Sequence, residues 1–548
     1  MRPAPRKHFH NIPDMLETLR KHPLIIPLVL IFIVVLIQTS WIGDDAFITM
    51  RTIDNFIHGY GLRWNIAERV QTYTHPLWMF LLTAAYLPTG NAEVTLVGLS
   101  ILVSSITIFI FLAKIPKTDY GLLLGWGILI LSKAFVDYAS SGLENPLTHL
   151  LLLGFALLYL PERPFSPRKI FMLSLLFGLA LFNRIDSALM LLPALIDISL
   201  RAATVTKQPA LKQDSPVDEG GPRSQKMLAR SDMLGNLGLI LAGLSPFILW
   251  EIFSLVYYGF FLPNTYYAKL SSGVPQAELL AQGLLYFVNS LGWNPLTLTV
   301  ASASVVLAFA GKDRAGKMLG SGILLYFAYI LYIGGDFMSG RFFTGPLLLG
   351  VILLIRHIEQ RPPLEKFAWA GLVLLLGYFL SPLTAFGNRE MSYITSNGIA
   401  DESAGYYAYT SLVFFSRDAS LPTHPNADLG REIRKNGSRL VVQRGVGMLG
   451  YFAGPGTHIV DLLGLGDPLL ARLPIPAGRD WRIAHFERDL PEGYLATLET
   501  GANQIRDPAL AEVFDKLHLI VSGDLWTRAR WQAIWELNTG KYLDIFSR

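Results

Sequence analysis

The sequence predicts a polytopic α-helical membrane protein that ends in a soluble α/β portion. Three observations carry this expectation. Of the 548 residues, 51% are apolar and only 16% charged, a balance foreign to an ordinary soluble domain. Apolar runs long enough to cross a bilayer recur through the first 384 residues. From about residue 385 charged and polar residues become frequent, and no run is long enough to span. There is no Cys, which excludes disulfides, thiolate chemistry and Cys-ligated metals. The net charge of +4 is small, and nothing in its distribution points to a nucleic-acid partner.

Residues 1–21 carry Arg2, Arg6, Lys7, Arg20 and Lys21 ahead of an apolar run at 22–42. That run is long for a signal-peptide core and lacks a small-residue cleavage site, so it reads as a retained first span with a cytoplasmic N-terminus. Further spans are expected near 94–113, 120–137, 143–160, 168–183, 186–200, 236–258, 295–311, 317–335, 342–356 and 366–384, which makes about eleven within a membrane domain over 22–384. Two shorter apolar stretches, 76–88 and 276–290, read as helices at the interface. With that choice the loops 114–119, 161–167, 201–235, 312–316 and 357–365 are cytoplasmic, and each carries basic residues, among them Lys114, Lys117, Arg163, Lys312, Arg314 and Arg361. Counting 76–88 as a full span would turn all of these outward. The 201–235 loop is polar and rich in Gly, Pro and Ser, the composition of a flexible linker. In the tail, 385–548, strand-like pieces at 439–443 and 457–463 alternate with helices expected near 426–436, 467–472, 507–516 and 524–536. Parity puts this tail on the outer side of a bacterial inner membrane.

The same parity gathers chemically useful groups on that outer side. Asp44 and Asp45 open the first external loop, 43–93, directly after the first span. Two adjacent carboxylates at a membrane boundary repel each other and resist ionisation, so they are costly to keep there. They read either as a catalytic base with a partner or as solvated acids ending a helix. The loop also supplies His58, Arg63, Glu68, Arg69 and His75. Elsewhere come Glu144 in SSGLENP, Arg184 and Asp186 in FNRID, Tyr266 and Lys269 in FLPNTYYAKL, and Asp336 and Arg341 in GGDFMSGRFF. Glu144 is open to a second reading as a cap on the helix starting at Asn145–Pro146. Arg184 with Asp186 is open to reading as a simple ion pair. His58 and His75 stand at no ligand-like spacing and suit loop hydrogen bonds better than a metal. Lys269 and Arg341 are open to reading as snorkelling side chains. Three cations at outer span ends nevertheless run against the positive-inside bias, and a bound anion on that face accounts for them. A lipid-linked donor with a phosphate leaving group fits. A carboxylate deprotonates an acceptor hydroxyl, Arg and Lys stabilise the departing phosphate, and Trp64, Tyr73 and Trp78 offer flat surfaces for sugar or prenyl contact.

At this point the sequence resembles the GT-C membrane glycosyltransferases, most closely the mycobacterial terminal arabinofuranosyltransferase B branch. The matching pieces are GDDAFITMR (43–51), NFIHGYGLRWN (55–65), ERVQTYTHPLW (68–78), SGLENPL (141–147), NRID (183–186), PNTYYAKL (263–270) and GGDFMSGRF (334–342). VDLLGLGDP (460–468) and HFERDLPEGYL (485–495) resemble that family's external domain. The resemblance implies a GT-C transmembrane domain followed by an extracytoplasmic domain. It also implies a polyprenyl-phosphate sugar donor and a glycan or glycolipid acceptor at the membrane lipid surface. Asp44 looks like the base and Asp45 like its partner in substrate binding, with the division between the two left open. Glu144, Arg184, Lys269, Asp336 and Arg341 match recurring positions of the family. Some enzymes of this fold use a divalent cation and others do not, so no cofactor is assigned and a divalent cation stays open.

The expected activity is transfer of a sugar, arabinofuranose or another pentose or hexose, to a cell-envelope acceptor by one inverting displacement with Asp as general base. Two alternatives stand beside it. One is a transporter or flippase of a lipid-linked sugar, although such proteins place ionisable groups near mid-membrane and often show inverted repeats, and neither is visible here. The other is a non-catalytic envelope or motility factor on the same scaffold.

Overall fold

The computed structural model describes residues 12–161, 165–205, 222–382, 394–414 and 422–546, with the side chains of all but 12–16, 202–205 and 222–234. Arg2, Arg6, Lys7, Arg163, the centre of the 201–235 linker and the expected domain boundary near 385 lie outside these residues.

The chain is helical through its first two-thirds. A short helix α1 (Ile12–Lys21) precedes α2 (Ile25–Gln38), and α3 (Asp44–Ile57) begins at the acid pair. Then follow α4 (Pro76–Thr89), α5 (Ala92–Lys114), α6 (Asp119–Leu131), α7 (Lys133–Tyr138), α8 (Asn145–Tyr159), α9 (Pro167–Asn183), α10 (Leu192–Val205) and α11 (Pro222–Tyr257). The rest of this part is α12 (Asn264–Leu270), α13 (Gln276–Trp293), α14 (Pro295–Ala310), α15 (Arg314–Ile333), α16 (Thr344–Ile358) and α17 (Pro363–Leu374). Starts are set by local chemistry. Asn91, Thr118, Ser166 and Asp313 accept a backbone N–H of the turn they cap. Pro occupies the first turn of α4, α8, α9, α14 and α17, where its missing N–H costs nothing.

Among the described residues, four stretches are long and apolar enough to cross a membrane: Ala92–Lys114, Gly235–Tyr257, Arg314–Ile333 and Arg341–Ile358. The pair α13 and α14, bent by 112° across Asn294, makes a fifth if taken as one broken span. The expected count of about eleven exceeds this because several expected spans are short or broken helices. The 120–137 stretch breaks at Ser132, whose hydroxyl caps α7 by accepting from Phe135. Lys133, just beyond, is buried against Asp137, Asp401 and Ser403. The 366–384 stretch leaves α-helical geometry at Leu375 for a π turn. The 201–235 linker is partly helical, since α10 runs to Val205 and α11 starts at Pro222. The buried fractions rank the helices. Along Arg341–Ile358 the window is 89% buried, so α16 forms the centre of the bundle, whereas Gly235–Tyr257 is 17% buried and faces outward.

Helix ends sort into two groups. Glu359, after α16, accepts from Thr118, before α6, at 3.0 Å; Arg356 reaches Asp313 at 3.2 Å; His22 meets Asp119 at 2.8 Å. These ends lie away from Arg341, at the start of the Arg341–Ile358 stretch, by the length of α16, about 22 Å. Arg184, Asp336 and Arg341 gather at the other end.

The tail contains α18 (Glu402–Thr410), α19 (Pro425–Asn436), strand β1 (Leu440–Gln443), α20 (Gly447–Ala453), strand β2 (His458–Asp461), α21 (Tyr494–Thr500), α22 (Pro508–Ser522) and α23 (Arg528–Asn538). β1 and β2 pair in parallel, Leu440 opposite His458, with α20 in the crossover. Many motif residues are spent on docking this tail. Arg51 donates to the carbonyls of Trp64 (2.8 Å) and Thr457 (2.8 Å) and to that of Gly450. The Asn65 side-chain Oδ1 accepts from the Ile459 backbone N–H at 3.1 Å, and the Asn264 side chain donates to the Gly464 carbonyl at 2.8 Å. Arg69 bonds the carbonyls of Ile520 and Gly523.

Candidate functional site

A cavity of about 510 Å³ lies where the helix ends that carry Arg184, Asp336 and Arg341 meet the tail. Asp45, His75, Arg184, Asp186, Tyr266, Lys269, Asp336 and Arg341 line it, eight of the eleven residues expected to form a site. They come from five separated stretches of chain. Apolar side chains complete the wall, among them Leu262, Leu270, Ile333 and Phe342, and the tail contributes Leu465, Ile483, Ala484 and Phe486.

Glu144 lies behind the wall, 1% exposed. Its Oε1 accepts from Arg341 at 2.9 Å and from Arg184, and its Oε2 is 3.2 Å from the same Arg341 nitrogen. Arg184 also donates to Asp186 at 2.7 Å and stacks over Phe342 at 4.8 Å, while Arg341 lies 3.6 Å from Asp336. The helix-cap reading of Glu144 gives way here, because its side chain makes no capping bond to α8. A buried carboxylate between two guanidinium groups fixes both and offsets their charge. Glu144, Asp186 and Asp336 thus pair both Arg184 and Arg341. Lys269 is left as the lining cation with no ion-pair partner within reach among the described residues. Arg341 Nε, Asp186 Oδ2 and Asp336 Oδ2 are buried polar atoms without a hydrogen-bond partner there. His75 Nε2 is 3.0 Å from the Thr49 hydroxyl, and Nδ1 lies 3.4 Å from Glu144. Burial pushes its pKa down to about 4, so the ring is neutral near pH 7.

The acid pair divides. Asp45 faces the cavity, whereas Asp44 does not line it. Asp44 accepts from the backbone N–H groups of Gly447 and Met448 in the tail, each at 2.8 Å. Burial raises its pKa and those two bonds work against the rise. His58 does not join the site. It sits after α3 with its ring bonded to the Asp54 carbonyl at 2.7 Å and its side chain 60% exposed. Of the expected aromatic surfaces only Tyr73 lines the cavity. Trp64 is buried beneath Arg51, and Trp78 is buried with its Nε1 donating to the Gly142 carbonyl at 3.0 Å. Among the described residues no group of three or more His, Asp or Glu converges as a metal site. An open apolar groove of about 470 Å³, walled by Phe80, Phe182, Trp250, Phe253 and Tyr257, lies next to the cavity. Tyr73, which lines the cavity, packs against Trp250 with ring centres 6.2 Å apart, so this aromatic pair stands between the two spaces.

The terminal beta-(1->2)-arabinofuranosyltransferase of Mycobacterium tuberculosis is 24% identical to this chain over 552 aligned residues, covering 84% of this chain and 82% of its own. The enzyme of the same name from Corynebacterium glutamicum is 25% identical over 567, covering 87% and 79%. The resemblance seen in the motifs therefore extends along most of the chain. The chain is a membrane glycosyltransferase. Two solved structures show a looser likeness. ArnT from Cupriavidus metallidurans, bound to undecaprenyl phosphate, has 13% identity and a TM-score of 0.43, covering 80% of this chain and 86% of its own. The Archaeoglobus fulgidus oligosaccharyltransferase, tethered with an acceptor peptide, has 11% identity and a TM-score of 0.44, covering 81% and 64%. No family model matches the chain.

Sequence reasoning missed the tail's share of the glycosyltransferase cavity. Leu465, Ile483, Ala484 and Phe486 carry no chemical signature, and only the VDLLGLGDP and HFERDLPEGYL resemblances pointed to their neighbourhood. Ala484 holds a φ of 60°, the one described non-glycine residue in the left-handed region, so the cavity roof is under backbone strain.

Proposed function

We propose that this glycosyltransferase moves arabinofuranose from a polyprenyl-phosphate donor onto a cell-envelope glycan or glycolipid, with Asp45 as general base. The observation that carries the reading is one cavity holding an acid, a lining cation without an ion-pair partner and an apolar wall. The acceptor hydroxyl lies against Asp45, which takes its proton as the oxygen attacks the anomeric carbon. The bond from that carbon to the phosphate oxygen breaks, and polyprenyl phosphate leaves with one more negative charge than it had as a diester. Lys269 and Arg341 face that charge. The neighbouring apolar groove suits the isoprenoid chain. Arabinofuranose is taken from the name of the two relatives. The sorting of helix ends supports a single chemical face, which we assign with the tail to the outer side of the inner membrane.

A single displacement inverts the anomeric carbon. The relatives are named for a β linkage, so this route requires an α-linked donor. A β-linked donor would need two displacements, with a carboxylate as the first nucleophile.

The test is transfer of radiolabelled arabinofuranose from α- and β-linked polyprenyl-phosphate donors to an arabinan oligosaccharide, by wild type and by Asp45→Asn. Transfer lost in the variant and product of opposite configuration to the donor support the reading. Undiminished transfer by Asp45→Asn would remove it. Retained configuration would replace the single displacement with a double one.

A further inference from the structure

We infer that Asp44 is a positioning residue that ties the docking of the tail to the placement of Asp45. The inference rests on the proposed role of Asp45 and concerns a different residue and a different contact.

Adjacent residues on an α-helix point about 100° apart. The acid pair opens α3, so the two carboxylates cannot serve the same face. Asp44, Phe47 and Arg51, at i, i+3 and i+7, form one stripe, and each of them meets the tail. Asp44 takes the N–H groups of Gly447 and Met448 at 2.8 Å each. Phe47 packs against Tyr451 and Phe452 with ring centres 5.5 and 5.9 Å away. Arg51 bonds the carbonyls of Gly450 and Thr457. Asp45 and Thr49, at i+1 and i+5, turn to the cavity. The residues that hold the tail and the residue proposed to act on substrate are thus on two sides of the same two turns.

The contact at Asp44 is close. The first N–H groups of a helix have no partner within it, and a carboxylate satisfies them. With both oxygens so engaged, Asp44 has no comparable freedom to accept a substrate proton. A Cβ on Gly447 would collide with the Asp44 carbonyl oxygen, so glycine there is a condition of the approach. The tail also roofs the cavity through Ile483, Ala484 and Phe486. Docking therefore assembles the roof and fixes the base in one event.

The test compares Asp44→Asn, Gly447→Ala, the double variant and Asp45→Asn, all full-length, using polyprenyl-phosphoryl arabinofuranose as donor. Asp44→Asn keeps the shape of the side chain but offers an N–H toward a second N–H. Gly447→Ala loosens the same contact from the tail side without touching any acid. Each is expected to lower kcat about 10- to 100-fold with the donor KM within about threefold, since a base displaced by about 1 Å loses about 100-fold. The double variant should be no worse than the weaker single, because both break one contact. The acid limb of the kcat–pH profile should persist in Asp44→Asn. It should vanish from the residual activity of Asp45→Asn, which falls about 10²- to 10⁴-fold. Wild-type kcat in Gly447→Ala, additive losses in the double variant, or loss of the acid limb in Asp44→Asn would overturn the inference while leaving Asp45 as base. Full activity in Asp45→Asn would instead remove the base assignment, and it is read before the other variants.

Discussion

Glu144→Gln isolates the buried carboxylate on which two guanidinium groups depend. Glu144 is 1% exposed, with the Arg341 side chain 8% and the Arg184 side chain 16% exposed around it. At charge separations of about 4 Å each pair contributes about 4 kcal/mol with an effective dielectric constant of about 20. Most of that offsets the cost of taking three charges out of water. The triad therefore adds little net stability, yet removing its centre leaves two buried cations sharing only Asp186 and Asp336. Breaking a buried pair in this way costs about 3–5 kcal/mol. Gln preserves volume and one acceptor oxygen, so the loss reports charge and not a cavity. In detergent-purified protein the variant should melt several degrees lower by scanning fluorimetry, at about 2–4 °C per kcal/mol for a domain of ordinary size. Glu144→Gln combined with Arg341→Met removes an uncompensated cation and should recover part of the loss. A single variant melting with wild type, or a double variant no better than the single, would refute the reasoning.

Two further outcomes are expected. Lys269→Met should raise the donor KM about 10- to 100-fold, the worth of one charge-assisted contact to a phosphate, while a neutral acceptor's KM stays put; steady-state transfer kinetics read both, and an unchanged donor KM would take Lys269 out of the site. The Asp461 carboxyl, fully buried at the end of β2, is pushed by burial up to about 7 against the backbone N–H bonds of Gly466 and Leu463 that lower it. Its folded pKa lies above its unfolded one, so its stabilising contribution is present below the ordinary carboxylate range and lost as pH rises through about 7. Proteolysis of the tail should accelerate between pH 5 and pH 8, by an opening free energy of a few kcal/mol at most, and Asp461→Asn should flatten that dependence; a slope unchanged in the variant would refute the assignment.

Much of the cavity was legible because parity is a global constraint. Residues as distant as Asp45, Arg184, Lys269 and Arg341 fall on one side of any topology that keeps basic loops together, and the fold brings them to one cavity. What parity cannot do is resolve neighbours. Asp44 and Asp45 share one expected loop but not a face of a helix, and their separation follows only once 44–57 is seen as helical. Ala46, Met50 and Ile53, apolar at i, i+4 and i+7, were a signal for that helix. His58 misled because a polar residue in an external loop looks alike whether it faces a cavity or solvent. Trp64 and Trp78 misled for the opposite reason: buried aromatics of a docking surface look like a sugar platform in one dimension. Span counting suffered where Ser132 breaks the 120–137 stretch, since hydropathy averages over a cap that a single side chain sets.

The charge pattern of the cavity bears on how the proposed reaction would gain its rate. An excess of cations would bind a lipid phosphodiester tightly in the ground state, and uniform binding of that kind does not accelerate chemistry. Here Asp45, Glu144, Asp186 and Asp336 outnumber Arg184, Lys269 and Arg341, so the cavity carries no excess of cations, and Lys269 is the lining cation with no ion-pair partner among the described residues to meet the single charge of a diester. As the glycosidic bond to phosphate breaks, a second negative charge develops on the leaving group. Arg341 has a buried Nε–H without a partner among the described residues, held in place by its bonds to Glu144. A donor fixed in advance and unpaired until charge appears stabilises the transition state more than the bound substrate. The buried carboxylate then has a purpose beyond neutrality, because it orients a guanidinium group while keeping the resting cavity from holding its substrate too firmly. Glu144→Gln should therefore tighten donor binding while lowering kcat, and a rise in donor KM with unchanged kcat would contradict this account.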